Sequence, residues 1–156
     1  MSDAAIGCCH EAPGDVGEKA KGKVMGKEVR SIGAEARGQA NVALPFSPAV
    51  RAGDFIFVSG QVGFGDDMRI VPGGIEAEAR QTLKNIANIL ALDGSGLEDV
   101  VKCTVWLHDA RDFAAFNKVF AEFFSGRKPA RSTVESRLMI DARIEIDAIA
   151  YRPVAP

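Results

Sequence analysis

"GGIEAEARQTLKNIANILAL", residues 73–92, is the stretch from which the fold is read. Ile75, Ala79, Leu83, Ile86 and Leu90 recur at three- and four-residue steps, with Glu76, Glu78, Arg80 and Lys84 on the other side. That spacing predicts an amphipathic helix with one buried stripe, and Gly94 and Gly96 stop it. Downstream, "EDVVKCTVWLHD" (98–109) is rich in β-branched and aromatic residues and predicts a strand. "ARDFAAFNKVFAEFFSG" (110–126) then predicts a second amphipathic helix ended by Gly126.

Upstream, "GDFIFVSGQVGF" (53–64) is a strand opened by a Gly53-Asp54 turn. Phe55 to Val58 is too continuously apolar for a strand with one face in water, so its expected place is central. At the other end, "ARIEIDAIAY" (142–151) puts Ile144, Ile146, Ala148 and Ala150 on one face and Arg143, Glu145 and Asp147 on the other. The acidic side must meet water or a cleft. The order strands, helix, strand, helix, strands predicts an α+β layer with both helices on one sheet face.

At 156 residues the chain suits one domain with a real core. A net charge of −2 and a pI near 5.7 give no electrostatic footprint for nucleic acid. No apolar run approaches the roughly twenty residues of a membrane span, and the N-terminus lacks the basic start and apolar core of a secretory signal, so a cytoplasmic location is expected. Residues 1–26, rich in Gly, Ala, Lys and Glu without sustained periodicity, are expected to be a flexible extension ahead of a domain over 27–156, and Met25 is a candidate original start. Three cysteines, two adjacent at Cys8 and Cys9, fit reduced thiols. Cys8-Cys9-His10 lacks the second cluster that a closed tetrahedral metal site needs.

"KPARSTVES" (128–136) poses the functional question, because Arg131 enters a strand whose alternation gives neither face a clean apolar set. A guanidinium offers a planar fork of donors matched to a carboxylate. Arg131 is therefore either a clamp for a small acid or a surface residue paired with Glu135. Glu145 is either a catalytic carboxylate or, like Asp147, a solvated polar-face residue. His108 has no nucleophile near it in sequence and reads as a loop histidine. Cys103 reads as a small buried residue, and Phe113, Phe116, Phe120, Phe123 and Phe124, at helical spacing, read as core or subunit contact.

"VSGQ" (58–61), "DFAAFNKVFAEFF" (112–124), "PARSTVE" (129–135) and "IEIDAIA" (144–150), in that order, resemble the RidA/YjgF/YER057c/UK114 family, formerly the endoribonuclease L-PSP family. The similarity covers roughly residues 42–153. It implies a chorismate-mutase-like fold, a mainly antiparallel mixed sheet, and a homotrimer with clefts at subunit interfaces. It also implies hydrolytic deamination of 2-imino and enamino acids such as 2-aminoacrylate, 2-iminopropanoate and 2-iminobutanoate to 2-oxo acids and ammonia, with no cofactor or metal.

By the resemblance, Arg131 grips the substrate carboxylate and Glu145 stands near the attacking water. Ser59, Gly60, Asn117 and Thr133 match positions around the pocket, Thr133 where many relatives have cysteine. Phe46, in Leu44-Pro45-Phe46, stands where relatives commonly carry the tyrosine of "GPY" and lacks its hydroxyl. "SRLMIDAR" (136–143) also lacks a proline that many relatives have. These departures bear on substrate preference. The alternatives are a deaminase of larger enamines such as 2-aminomuconate, a non-catalytic regulator that binds small carboxylates, and ribonuclease activity, against which the acidic pI argues.

Overall fold

The computed structural model describes residues 29–36 and 42–154. The expected extension over residues 1–26, with Cys8, Cys9, His10 and Met25, lies outside the described residues. Six strands form one sheet: β1 (Val29–Ile32), β2 (Ala49–Ala52), β3 (Phe55–Gln61), β4 (Val100–Leu107), β5 (Ala130–Glu135) and β6 (Ile144–Tyr151). Their order is β1-β2-β3-β6-β4-β5. Every pairing is antiparallel except β4 with β5, which is parallel. Parallel neighbours need a crossover, and helix α2 (Phe113–Phe123) supplies it.

Helix α1 (Gly74–Ala91) matches the predicted stripe, with Ala79, Leu83, Ile86 and Leu90 buried. Past its end Gly94 takes φ 67°, a left-handed conformation that costs glycine nothing, while the Ser95 N–H donates to the Leu90 carbonyl at 3.1 Å. Glu78, expected on the polar side, is instead buried at 5% exposure. It is partnered there by β6, as described below. Helix α2 stops short of Gly126 and is preceded by one 3-10 turn, Ala110–Asp112, where Asp109 accepts from the Arg111 N–H at 2.8 Å.

Both helices pack on one face of the sheet and share one core with it, in which Phe116, Leu83, Ile86, Ile56, Ile144 and Ile146 are almost fully buried. Truncating a side chain like Phe116 in such a core costs about 3–5 kcal/mol. β6 shows the predicted parity, Ile144, Ile146, Ala148 and Ala150 inward. β3 is an interior strand, as expected, but only Ile56 and Val58 are covered by this chain, while Phe55 and Phe57 remain 43% and 45% exposed on the helix-free face. There Phe55 packs against Tyr151 with ring centroids 5.2 Å apart. The short strands β1 and β2, four residues each, were not singled out by the sequence because four residues cannot establish a period of two against a loop.

Candidate functional site

Strand parity places the two principal candidates. In the β4–β5 pair Cys103 is level with Arg131 and Val105 with Thr133. Cys103 and Val105 point into the core, so Arg131 and Thr133 share the helix-covered face. In the β4–β6 pair Trp106 is level with Glu145 and Thr104 with Asp147, and these alternate with the buried isoleucines of β6. Arg131 and Glu145 therefore lie on opposite faces of the sheet.

Arg131 stands at the sheet edge beneath α2. Its Nη2 donates to Asn117 Oδ1 at 2.8 Å, and its guanidinium carbon lies 4.6, 5.0 and 5.7 Å from the ring centroids of Phe120, Phe116 and Phe113. Cation–π contacts of this kind contribute about 0.5–2 kcal/mol each. Part of the phenylalanine stripe, read from the sequence as core or subunit contact, is thus also the bed of the arginine. Glu135 does not pair with Arg131; it accepts from the Ala110 N–H at 3.0 Å. Among the described residues no carboxylate pairs with Arg131. Burial lowers its pKa from the ordinary value. On the same face the Thr133 hydroxyl is buried without a hydrogen-bond partner among the described residues.

Glu145 has a different set of neighbours. The β3–β6 register shifts between Val58 and Gln61, a bulge that carries Ser59 and Gly60 past the carboxylate. A Cβ at Gly60 would lie 2.0 Å from Glu145 Oε1, so any larger residue there would push the carboxylate out of its present place. The Gln61 side-chain amide donates to the Ser59 and Gly60 carbonyls, both at 3.1 Å, and holds the bulge. Ser59 in turn ties down the segment bearing Phe46: its Oγ donates to the Ser47 carbonyl at 2.7 Å and its N–H to the Pro48 carbonyl at 3.0 Å. Phe46 is 49% exposed. Burial, and next the Asp147 charge, push the Glu145 carboxyl above its usual range.

The root of β6 is anchored just ahead of Glu145. The Arg143 N–H donates to Glu78 Oε2 at 2.7 Å, and its guanidinium bonds both oxygens of Asp112 at 2.9 and 3.0 Å. That accounts for a buried Glu78, whose pKa burial raises. Sequence reasoning missed this anchor and Gln61; the latter was visible only as part of "VSGQ".

The seven candidates therefore fall into two groups, with Arg131, Asn117 and Thr133 at β5 and α2, and Phe46, Ser59, Gly60 and Glu145 at β3, β6 and the segment before β2. His108 caps the end of β4, its N–H donating to the Arg143 carbonyl at 2.9 Å. Cys103 is buried, with its thiol pushed up to about 12, chiefly by burial. Among the described residues there is no group of acids, histidines and cysteines able to hold a metal ion, and no helix long and apolar enough to cross a membrane.

Gly60→Ala should displace the Glu145 carboxylate, and kcat for the reaction considered below should fall at least about tenfold with KM little changed. Full activity with the alanine would show that the contact does not matter.

A family model described as Endoribonuclease L-PSP matches residues 37–152. A RutC family protein of Pyrococcus horikoshii is 49% identical over 110 residues, 69% of this chain and 87% of that protein. The 2-iminobutanoate/2-iminopropanoate deaminase of Mus musculus is 41% identical over 110 residues, 69% of this chain and 82% of that protein. Among solved structures, E. coli TdcF with bound serine superposes with a TM-score of 0.70 at 33% identity, covering 79% of this chain and 98% of that one.

Proposed function

Because the chain belongs to the endoribonuclease L-PSP family, that of RidA and YjgF, we propose that it hydrolyses small 2-imino acids and their enamine tautomers to 2-oxo acids and ammonia. The observation that carries this reading is Arg131, a cleft guanidinium without a carboxylate partner among the described residues, set on three rings and one asparagine. The kinship to the mouse deaminase supports the substrate class.

In this reading Arg131 takes the substrate carboxylate in two parallel hydrogen bonds and turns the imine carbon toward the attacking water. Glu145 accepts a proton from that water as its oxygen bonds to the electrophilic carbon. The proton passes to nitrogen, the carbon–nitrogen bond of the resulting carbinolamine breaks, and ammonia leaves. Imine and water thus become 2-oxo acid and ammonia. An iminium carbon is electrophilic from the start, so this chemistry calls for no cofactor.

One chain holds Arg131 and Glu145 on opposite sheet faces, so the reading needs two copies at each cleft, and we propose a homotrimer. The uncovered aromatic surface of Phe55, Phe57 and Tyr151 supports it. Apolar area of this kind favours association by about 25 cal/mol per Å² buried.

The direct test is an assay in which a serine/threonine dehydratase generates the imine and 2-oxo acid release is followed above the spontaneous rate. Release no faster than the spontaneous rate would sink the proposal. The pH profile is a second check. Glu145 works ionised, and its pKa is raised, so kcat/KM should fall with decreasing pH on a limb above the ordinary carboxylate range. Asp147→Asn removes the neighbouring charge and should move that limb to lower pH.

A further inference from the structure

The Arg131 cleft has a volume of about 400 Å³ and is bordered by a second cation, Lys128. Pro129, buried beside it, fixes the backbone from which the lysine stem extends. Among the described residues Lys128 has no hydrogen bond or ion pair. Its neighbour Arg127 is engaged with the Glu98 carbonyl.

The wall contributed by α2 and the residue that ends it carries Asn117, Phe120, Ala121 and Phe124, without an acid. The acid of that helix, Glu122, is turned to Arg80 on α1. On this chain's side, two cations and no carboxylate therefore border one open cleft floored by the tilted Phe120 and Phe124 rings, with centroids 4.5 Å apart, and in the proposed assembly Glu145 enters from the neighbouring protomer to face the imine carbon. A monocarboxylic 2-imino acid uses only one of those two cations.

We propose that the cleft is built for 2-imino acids with a second, distal carboxylate, of the kind formed by oxidation of aspartate or glutamate. Arg131 holds the carboxylate next to the imine carbon, Lys128 the distal one, and the rings cover the methylene spacer. Arginine suits the first role because its planar fork sets orientation. Lysine suits the second because a point charge on a flexible stem follows spacers of different length. This rests on Arg131 being the clamp of an imine deaminase, as proposed above, and goes further by naming the substrate class.

The test compares kcat/KM for imines made in situ by amino-acid oxidases from alanine, aspartate and glutamate, each read as loss of the semicarbazone that trapped imine would form. The wild-type protein should favour the dicarboxylic imines about five- to tenfold, and Lys128→Gln should erase that preference, mainly through KM. Lys128→Glu should reverse it. A dicarboxylate-to-monocarboxylate ratio unchanged by Lys128→Gln, with alanine-derived imine still turned over, would overturn this proposal and leave the deaminase reading standing. If no imine is turned over the deaminase reading fails, and calorimetry with 2-oxoglutarate and 2-oxopentanoate decides the second-carboxylate site. Tighter 2-oxoglutarate binding that is lost in Lys128→Gln supports the site, and equal affinity overturns it.

Discussion

Arg131→Ala should lower kcat/KM for small 2-imino acids by about 150- to 25,000-fold while the far-ultraviolet circular dichroism and the oligomer persist. Two charge-assisted hydrogen bonds at about 1.5–3 kcal/mol each, with tenfold in rate per 1.36 kcal/mol, bracket that loss. The fold should survive because the guanidinium lies against the rings of Phe116 and Phe120 rather than between them and the rest of the core. Phe116 stays buried by its packing with the helix-face residues of the sheet. Arg131→Lys should recover little, since an ammonium keeps the charge and loses the two-pronged geometry and the planar stacking on the rings. Activity within threefold of wild type in the alanine variant would show that Arg131 holds no substrate.

Two inactive variants should restore activity when combined. Glu145→Gln removes the proposed base and should cost about 100- to 10,000-fold in kcat. In a mixture of Arg131→Ala and Glu145→Gln chains, unfolded and refolded together, each cleft would draw the Arg131 side from one protomer and the Glu145 side from its neighbour. Random assembly into rings then leaves about a quarter of the clefts with both residues intact. Recovery of about a quarter of wild-type activity, where each variant refolded alone stays near or below about one per cent, is the expected result. No recovery, with mixed oligomers demonstrated by mass spectrometry, would place both residues in one protomer's cleft and overturn the proposed assembly.

Local periodicity sufficed for the parts of the fold held together by near neighbours. The stripe of α1, the parity of Ile144 to Ala150 and the glycine that ends α1 each arise from constraints acting within a few residues. The chain therefore displays them whatever lies opposite. Glu78 escaped that logic. A glutamate on a helix reads as solvated until β6 brings the Arg143 N–H within 2.7 Å of it, and the two lie 65 residues apart. β1 and β2 escaped it through brevity. The run from Phe55 to Val58 was legible as a strand due to be covered on both faces, yet this chain covers only one of them.

The candidate residues themselves were legible because their chemistry is unusual for their positions: an arginine opening a strand, an acid alternating with isoleucines, a glycine inside a strand. What each of them touches was decided by tertiary structure. The bulge at Ser59 and Gly60 gives Glu145 its space, the α2 crossover lays Phe113, Phe116 and Phe120 around Arg131, and the insertion of β6 between β3 and β4 sets the parity that puts Arg131 and Glu145 on opposite faces. Sequence by itself determined the element types, the inward faces and the residues with chemistry to offer, because those follow from side-chain identity and spacing. Only the tertiary structure decided the sheet order, the bulge and the partition of the candidate residues between two sheet faces. Those depend on which distant strands pair and in what register, and a one-residue slip there moves every side chain to the other face.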